Sequence, residues 1–545
     1  MKQILPIGAS QIAAAMETLG RYRSARAGLE QRILENEQWY RLRHWQSMRN
    51  REKGEVEPVS GWLFNAIANK HASAMDNFPT PTVLPREESD RALAKTLSAI
   101  VPVILERNDF EQVYSRVWDS KLRSGTGVYG VFWDSEGLRG LGDVSIQRVD
   151  LLNLYWEPGI TDLQQSKNIF HVELQDNDAL LERYPGITLP GVCQWQRYHY
   201  DESVDTSGKS AVVDWYYKKS TGGRTVLHYC KFVGDNVLFA TENEPIYRDL
   251  GWYDHGLYPF LADTLFPCEG TPWGFGYIDL GKSAQEYIDR GNQAVLMNLL
   301  SNARPRFFLR SDGAVNREEY ADLSRDFVTA DGNLGADSIR PIEGKPLNDI
   351  YITVLRDKID ELKEVTGNRD VSTGGTSGGV TAASAIAAMQ EAGSRLDRDA
   401  NRASYRVFRQ LVKMVISLVR QFYSTPRCFR ILGSEGEEFL AFGGHQIPWE
   451  VDFDITVAAQ KASPYSRLQQ NELALQFFGA GFFRPELANQ ALLCLEMMDF
   501  DRKAFVMNKI RSQAAAFYGT PEKVETPASD PVTAARQRTA EATAP

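Results

Sequence analysis

The segment 372–390, STGGTSGGVTAASAIAAMQ, places four glycines and several hydroxyls in front of an alanine-rich helix start. Glycine-rich loops that open onto a helix N-terminus often hold phosphate. The pattern GxxxxGK[ST] also needs a lysine, but this segment has none, and Arg369 and Arg395 lie outside it. The residues before it predict an amphipathic helix, not a strand. We therefore predict a flexible loop between two helices, with Thr381 or Ser384 near the N-cap of the second.

A second glycine motif, GTGVYG, matches the dinucleotide-binding pattern GxGxxG at Gly125, Gly127 and Gly130, and Asp150 follows it. In a dinucleotide-binding fold the glycines follow a strand and open a helix, so that the helix N-terminus meets the pyrophosphate. Here a helical stretch precedes the glycines and the strand-like VYGVFWD follows. Because the order is reversed, we predict that Gly125 and Gly127 end a helix and form a turn.

The sequence gives little indication of a metal site or of residues for acid–base catalysis. The seven histidines are scattered without an HExxH motif, and no GxSxG elbow is present. Asp76, Asp143 and Asp150, or the pair Asp357 and Asp360, are conceivable catalytic carboxylates, but solvated helix faces and turns explain them equally well. The sequence predicts no catalytic residue, no cofactor and no metal.

Composition limits the class of protein. The chain has 545 residues, is 43% hydrophobic and 24% charged, and carries a formal charge of −10. Tight static binding to nucleic acid usually needs a basic excess, which is lacking. The five cysteines lie far apart and form no CxxC pair, a pattern typical of a reducing cytoplasm. We find no signal-peptide pattern and no apolar run of membrane-span length, so we expect a soluble intracellular protein.

The texture along the chain predicts an α+β fold that is predominantly helical. Helical spacing is expected at 10–50, 60–77, 89–124, 276–303, 347–366, 382–423 and in the C-terminal region to about 518. Strands are expected at 128–267 and 428–457. The prolines of FPTPTVLP, residues 78–85, predict a turn. A helix over 382–423 would extend about 60 Å, which is long for a globular core.

Four segments, taken in order, resemble the portal proteins of tailed double-stranded DNA bacteriophages. LRSGTGVYGVFWD at 122–134 and the stretch 149–186, which ends in a short helix before RYPG, are similar to the wing region of that family. Residues 272–309, from PWGFG to ARPRFFL, resemble the start of the first stem helix. Residues 372–423 resemble the tunnel loop and the long helix after it. The likeness extends over about residues 10–515.

The resemblance implies an elongated portal-type subunit with wing, stem, clip and crown, which forms a ring around a central channel. The implied regions are N-terminal helices and α/β wing at 1–275, first stem helix at 276–303, clip at 304–348, second stem helix at 349–366, tunnel loop at 367–381, long helix and return strands of the wing at 382–460, helical crown at 461–519 and disordered tail at 520–545.

The resemblance also implies site residues. The loop that faces DNA would comprise Thr373, Gly374, Gly375, Thr376, Ser377, Gly378, Gly379 and Thr381; glycine permits the backbone to adjust, and a loop without lysine does not hold phosphate. The alternative is that this loop is a plain surface linker. Channel-side or intersubunit stem residues would include Glu286, Asp289, Asp349, Asp357, Asp360, Glu361 and Glu364, unless they pair along their own helices with Lys282, Arg290, Arg356, Lys358 and Lys363. Docking residues of the clip would be Arg317, Glu318, Glu319, Asp322 and Arg325.

The resemblance implies a non-enzymatic ring at one capsid vertex, a homododecamer of roughly twelve copies. A terminase motor would package double-stranded DNA through this ring, and the DNA would later be ejected through it. Its partners would be copies of itself, the major capsid and scaffolding proteins, the large terminase, head-to-tail connector or neck proteins, and DNA in transit without sequence specificity. It would reside in the virion and, during assembly, in the host cytoplasm, with no membrane partner. The alternatives are another virion protein of the neck, tail or baseplate, and a nucleotide-binding enzyme.

Overall fold

A computed structural model describes residues 6–48, 56–190, 198–199, 202–203, 205–221, 224–303, 306–309, 318–319, 329, 339–342, 348–368, 395–432, 437–449, 451–461, 464–496 and 503–518. The chain divides into two compact units, Met1–Gln460 and Lys461–Pro545. Both helices and strands contribute to the first unit, as the α+β prediction requires.

The helices of the first unit alternate with strands along the chain. They are α1 Ala9–Ala25, α2 Ala27–Tyr40, α3 His44–Ser47, α4 Trp62–Asp76, α5 Arg91–Arg107, α6 Phe110–Ser124, the single turn α7 Gly137–Gly140, α8 Asn177–Arg183, α9 Tyr277–Ala303, α10 Ile350–Thr366 and α11 Arg395–Phe422. The long helical stretch predicted at 10–50 is divided at Arg26 and again at Arg41–Arg43, where Leu42 adopts a φ of +59° that ends a helix.

Two antiparallel sheets form the strand-rich part. A five-stranded sheet has the order β10-β9-β8-β5-β4, with β4 Leu154–Trp156, β5 Asn168–Asp176, β8 Lys209–Thr221, β9 Arg224–Val233 and β10 Asn236–Ala240. A three-stranded sheet has the order β11-β2-β3, with β2 Thr126–Asp134, β3 Asp143–Val149 and β11 Phe260–Thr264. Two-stranded pairs are β1 Asn77–Pro85 with β18 Phe453–Lys461, β6 Tyr198–His199 with β7 Glu202–Ser203, β12 Phe266–Pro267 with β13 Gly274–Phe275, β14 Arg306–Leu309 with β15 Ile339–Ile342, and β16 Arg427–Leu432 with β17 Glu437–Phe442.

The turn predicted at FPTPTVLP is wrong, because these residues belong to strand β1, which pairs with β18. The strand contains Pro79, Pro81 and Pro85, which are two and four positions apart. Alternate residues of a strand direct their backbone groups to the same edge, so the backbone nitrogens of all three prolines face one edge. β1 pairs on one side only among the described residues, so the missing N–H groups can lie along the unpaired edge. The prolines end α4 but do not prevent an extended strand.

The GTGVYG motif lies at the helix-to-strand junction that the sequence predicts, but only Gly125 ends the helix; Gly127, predicted to form the turn, is the second residue of β2. Gly125 has a φ of +87° and follows α6, and β2 begins at the next residue. A Cβ atom on Gly127 would lie 2.4 Å from the carbonyl oxygen of Val117, so the strand could not approach α6 so closely with a larger residue. The glycines therefore serve the packing of β2 on its own preceding helix, not a dinucleotide.

The core of the first unit lies where α6 and α11 pack against β2 and β11. On α11, Phe408, Leu411, Val415 and Leu418 recur at helical spacing, and each has at most 2% of its surface exposed. Burying each side chain of this size contributes roughly 1.5–3 kcal/mol of hydrophobic free energy. This stripe fixes which face of α11 is turned inward and leaves its charged face in solvent.

α11 is the observed part of the long helix predicted at 382–423. It has 28 residues, a length of about 42 Å. The remainder of the predicted helix, the glycine-rich segment before it and the predicted tail at 520–545 all lie outside the described residues. Helix α10, which precedes the glycine-rich segment, begins at Ile350, three residues later than the helix predicted from 347.

The second unit contains helices α12 Pro464–Gly479, α13 Ala488–Glu496 and α14 Lys503–Tyr518. Its small core contains Phe477, Ala488, Leu495, Met507 and Ile510, all buried. This hydrophobic cluster is separate from that of the first unit.

A histidine between β10 and β11 makes the stability of the first unit depend on pH. Burial, followed by the positive charges of Arg420 and Lys218, lowers the pKa of His255 to about 4. Its Nδ1 atom accepts a hydrogen bond of 3.0 Å from the Leu257 N–H, which suits the neutral ring. Because the unfolded chain binds the proton more tightly, stability is complete above the unfolded pKa of about 6.5 and falls as the pH drops towards 4.

We expect the free energy of unfolding to fall by roughly 2–3 kcal/mol between pH 6.5 and 4 through this group alone. Urea unfolding at a series of pH values measures the loss. In His255→Asn the amide oxygen can still accept the Leu257 N–H but the side chain does not titrate, so this part of the pH dependence should vanish. An unchanged slope in the variant would contradict the assignment.

Candidate functional site

Helix α4 contacts the chain on both sides of residues 369–394, which contain the glycine-rich loop of the sequence and lie outside the described residues. Helix α10 ends before these residues, and the described part of α11 follows them. Six residues make these contacts, and we call them the loop anchor: Asn69, Lys70 and Ser73 from α4, Gly367 and Asn368 after α10, and Asp397 of α11.

The Lys70 ammonium makes the central contacts of the loop anchor. Its Nζ atom lies 2.7 Å from Oδ1 of Asp397 and 3.5 Å from the carbonyl oxygen of Gly367. Asn69 Nδ2 donates a bond of 3.2 Å to the Asn368 side-chain oxygen, and Ser73 Oγ donates one of 3.3 Å to the second oxygen of Asp397. One turn of α4 thus binds the chain on both sides of the loop.

The sequence of α4 explains why Lys70 is held so firmly. The buried face of this helix comprises Leu63, Ala66, Ile67, Lys70 and Ala74, so the lysine occupies a position in the apolar stripe. A buried ammonium needs a partner, because transfer out of water without one is costly. The side chain of Lys70 is only 7% exposed, and Asp397 supplies the opposite charge.

A helix end reinforces the charge of the loop anchor. Gly367 is the C-cap of α10 with a φ of +65°, and the carbonyl groups at that end favour a cation. Lys70 therefore meets a carbonyl at the end of α10 and the carboxylate of Asp397, the third described residue of α11. These contacts link the chain before residues 369–394 to the chain after them.

A second buried lysine fixes α11 to the body of the unit. Lys121 Nζ, from α6, lies 2.8 Å from Asp263 Oδ1 and 2.7 Å from Ser404 Oγ, and Ser404 donates a bond of 2.6 Å to the other oxygen of Asp263. All three residues are at most 2% exposed. Burial lowers the pKa of the Lys121 ammonium, and the nearby Asp263 carboxylate opposes that shift. The triad joins α6, β11 and α11 and is closed to solvent, so it has no access for a substrate.

A third network fixes α9 and corrects a prediction. Asp289, expected on a channel-side or intersubunit face, is fully buried inside the subunit. It pairs with His44, and its other oxygen accepts bonds from Ser60 Oγ at 2.9 Å and from Gln285 Nε2 at 3.0 Å. His44, Ser60 and Asp289 are far apart in sequence, so helical spacing along α9 alone could not reveal this contact.

The other acidic residues predicted for the stem lie on accessible faces. Glu286 pairs with Arg290 at 2.9 Å, and Glu361 pairs with Lys358 at 2.6 Å, as the alternative of pairs along one helix supposes. Asp349, Asp357, Asp360 and Glu364 are exposed. Whether these carboxylates face a channel stays a prediction.

The predicted loop residues, namely Thr373, Gly374, Gly375, Thr376, Ser377, Gly378, Gly379 and Thr381, lie outside the described residues, as do Arg317, Asp322 and Arg325 of the predicted clip. Glu318 is exposed, and Glu319 accepts a hydrogen bond of 2.8 Å from the Thr329 N–H. Their roles in the loop and in the clip stay predictions.

The carboxylates considered for catalysis do not converge. Asp143 accepts a hydrogen bond from the Tyr423 hydroxyl, and Asp150 accepts one of 3.0 Å from the Leu152 N–H as the cap of a short helical turn. Within the part of the chain that the structure describes, no three histidine, cysteine or acidic side chains meet in a way that could hold a metal ion. No described helix combines the length and the apolar character that crossing a membrane requires.

The sequence interpretation missed Lys70 and Lys121. Both interrupt an otherwise apolar helical stripe, and Lys121 follows Tyr114, Val117 and Trp118 on the buried face of α6. A lysine at such a position is a usable signal that a buried acidic partner exists. The signal does not name the partner, since Asp397 and Asp263 are distant in the chain.

Comparison with known proteins gives one family. The family profile described as "Phage P22-like portal protein" matches residues 71–544. A solved structure described as "Virion of native gene transfer agent (GTA) particle" contains a similar chain, at 11% identity and a TM-score of 0.34, with 89% of this chain and 99% of that chain covered. No curated protein matches the sequence.

Proposed function

Because the chain belongs to the phage P22-like portal protein family, we propose that it forms the ring at one capsid vertex through which double-stranded DNA is packaged and later ejected. Its role as a structural protein of a phage virion follows from the family. The proposal adds the ring of roughly twelve copies, the channel and the passage of DNA. It also adds that the chain performs no catalytic step.

The observation that carries the proposal is the loop anchor. Lys70 contacts the chain on both sides of 369–394, the segment that includes the predicted tunnel loop. A loop that meets a moving duplex needs ends that do not move with it, and the ion pair of Lys70 with Asp397, beside the C-terminal end of α10, supplies such ends. A plain surface linker would need no buried lysine at its base.

The composition of residues 372–390 favours the passage of DNA without tight binding. Its glycines accept backbone angles that other residues do not, and residues 372–390 contain no lysine or arginine. At −10 for each copy, a ring of roughly twelve carries about −120, which repels a duplex with one negative charge per roughly 1.7 Å. The DNA would remain centred and mobile.

The remaining partners follow from the same proposal. Scaffolding and major capsid proteins would surround the ring in the host cytoplasm during assembly, and the large terminase would supply the ATP-driven motor. Head-to-tail connector or neck proteins would later occupy the predicted clip. A titration with ATP should give no heat, since the proposal assigns nucleotide hydrolysis to the terminase.

Electron microscopy of the purified full-length protein tests the ring. We expect closed rings with a central hole and radial projections, because every copy presents the same surfaces to its neighbours. Fibres, trimers, discs without a hole or a lone monomer would refute the proposal.

Deletion of Gly374 to Gly379 tests the loop. We expect rings to form as before but DNA packaging or retention to fall, because the anchor residues outside the deletion remain. The yield of DNA-filled heads measures the effect. A deletion of equal length in the predicted tail, residues 530–535, is the control and should leave the yield unchanged. Loss of rings on deleting the glycines would contradict the loop assignment.

A further inference from the structure

The outer face of α11 carries a row of exposed cations. We call it the basic stripe; its members are Arg398, Arg402, Arg406, Arg409 and Lys413. At about 100° per residue these positions fall within roughly 80° of arc, and they extend over about 22 Å of helix. The row is unexpected on a chain of net charge −10.

Among the described residues, the middle of the basic stripe forms no ion pair, although Asp399 lines the same groove. Arg402, Arg406 and Arg409 make no ion pair with any carboxylate among the residues that the structure describes. Beside them runs a groove of about 480 Å³, lined by Asp399, Arg402, Tyr405, Arg406, Arg409, Thr456 and Val457. Three arginines along an open groove present a surface that suits an extended acidic partner.

Helix α10 carries the matching charges. Its acidic stripe comprises Asp357, Asp360, Glu361 and Glu364, all exposed and within roughly 100° of arc. Asp357, Glu361 and Glu364 have the spacing i, i+4, i+7, which is also the spacing of Arg402, Arg406 and Arg409. Glu361 meets Lys358 on its own helix, but exposed pairs of that kind contribute little and leave the carboxylate open to another cation.

Exposed apolar side chains accompany the acidic stripe on α10. Ile350 is 60% exposed, and Tyr351 and Val354 are about half exposed. Apolar area supplies affinity when a partner covers it, whereas charge pairs select the partner and its register. A surface that combines both is typical of a protein contact.

We propose that the basic stripe of one copy binds the acidic stripe of α10 in the neighbouring copy. This inference rests on the proposed ring function, because a closed ring uses two different surfaces of every copy, one for each neighbour. The second copy is the favoured occupant since it carries a row of opposite charge with the same spacing. Duplex DNA would also complement the arginines, but the net negative charge of the chain opposes it.

A charge-swap experiment on the full chain tests the contact. Arg402, Arg406 and Arg409 are changed together to glutamate in one variant, Asp357, Glu361 and Glu364 together to lysine in a second, and a third variant combines both sets. We expect each single set to reduce the assembled fraction at least about tenfold at 0.1 M salt, because like charges would face each other at the contact. The combined variant should recover rings, since the opposite charges meet again. Sedimentation and electron microscopy measure assembly.

Two controls separate charge from folding. Lysine in place of the three arginines keeps the charge, and we expect it to keep the rings. The far-ultraviolet circular dichroism spectrum of each disassembled variant should match that of the wild-type protein, because all six positions are exposed and their replacement leaves the fold of the subunit intact. If the glutamate set does not fold, glutamine at the same three positions should still weaken assembly and make it less dependent on salt, because the charge attraction that salt screens is lost.

The outcomes distinguish this inference from the proposed function. Wild-type protein that forms no ring refutes the proposed function itself. Normal rings from both reversed sets, or failure of the combined variant to recover, refute the contact and leave the portal proposal standing. Normal rings that lose binding to a random DNA duplex, measured by filter retention, would assign the basic stripe to DNA and likewise refute the contact.

Discussion

Replacing Lys121 with methionine is expected to lower the free energy of unfolding of the Met1–Gln460 unit by about 3–5 kcal/mol. The cost arises because Asp263 and Ser404 keep their buried positions while the carboxylate loses its cation. Methionine fills a similar volume, so the effect reports the lost charge and not a cavity. Urea denaturation of the full chain, followed by circular dichroism, measures the loss.

The matched control removes both charges. In Lys121→Met with Asp263→Asn no buried ion remains unpaired, and we expect at least half of the lost stability to return. Ser404→Ala, which removes one hydrogen bond, should cost about 1 kcal/mol. A methionine variant within about 1 kcal/mol of the wild type would show that the triad is not the closed ion pair that its burial indicates.

Replacing Lys70 with alanine is expected to reduce the yield of DNA-filled heads about tenfold or more while rings still form. Asp397 and the carbonyl of Gly367 lose the cation that they share, and an unsatisfied, partly buried group costs about 1–3 kcal/mol. A free-energy change of about 1–3 kcal/mol lowers the ratio of anchored to unanchored loop ends by about 5- to 150-fold. The number of filled heads per assembled ring is the measurement.

Two variants show whether the loop anchor acts through its charge. Ser73→Ala removes the 3.3 Å bond to Asp397 and leaves Lys70 in place, so we expect a near-normal yield of filled heads. Lys70→Arg keeps the cation and should lose less than alanine does. If the alanine variant lowers the melting temperature but packages DNA normally, Lys70 stabilises the fold without serving the loop.

The glycine motif at Gly125 shows what the order of residues within a short segment can predict. The arrangement of helix, glycine and strand around Gly125 excluded a dinucleotide site, and the structure confirms the helix end and the strand start there. These features depend on residues within one turn or one strand, where hydrophobic periodicity and glycine conformation dominate. The same kind of signal predicted helical spacing over 382–423, of which α11 is the described part.

Asp289 and the prolines of β1 show what the order of residues within a short segment cannot predict. Asp289 occupies a helix position that a solvated carboxylate could fill, yet His44 and Ser60 approach it from a distant part of the chain and bury it. β1 is extended because β18, more than 350 residues later, pairs with it. The pattern of residues along one segment does not show which distant segment it contacts.

The sequence by itself determined the mixture of helices and strands, the absence of a lysine in the glycine-rich loop, the acidic net charge and the resemblance to the portal family. All of these are properties of residue type, of short-range periodicity or of segments taken in order. Only the tertiary structure decided which carboxylates lie in solvent, which cations lack a partner and which helix contacts both ends of the loop. The free energy of a charge depends on its burial and its partner, and both are set by contacts between residues hundreds of positions apart.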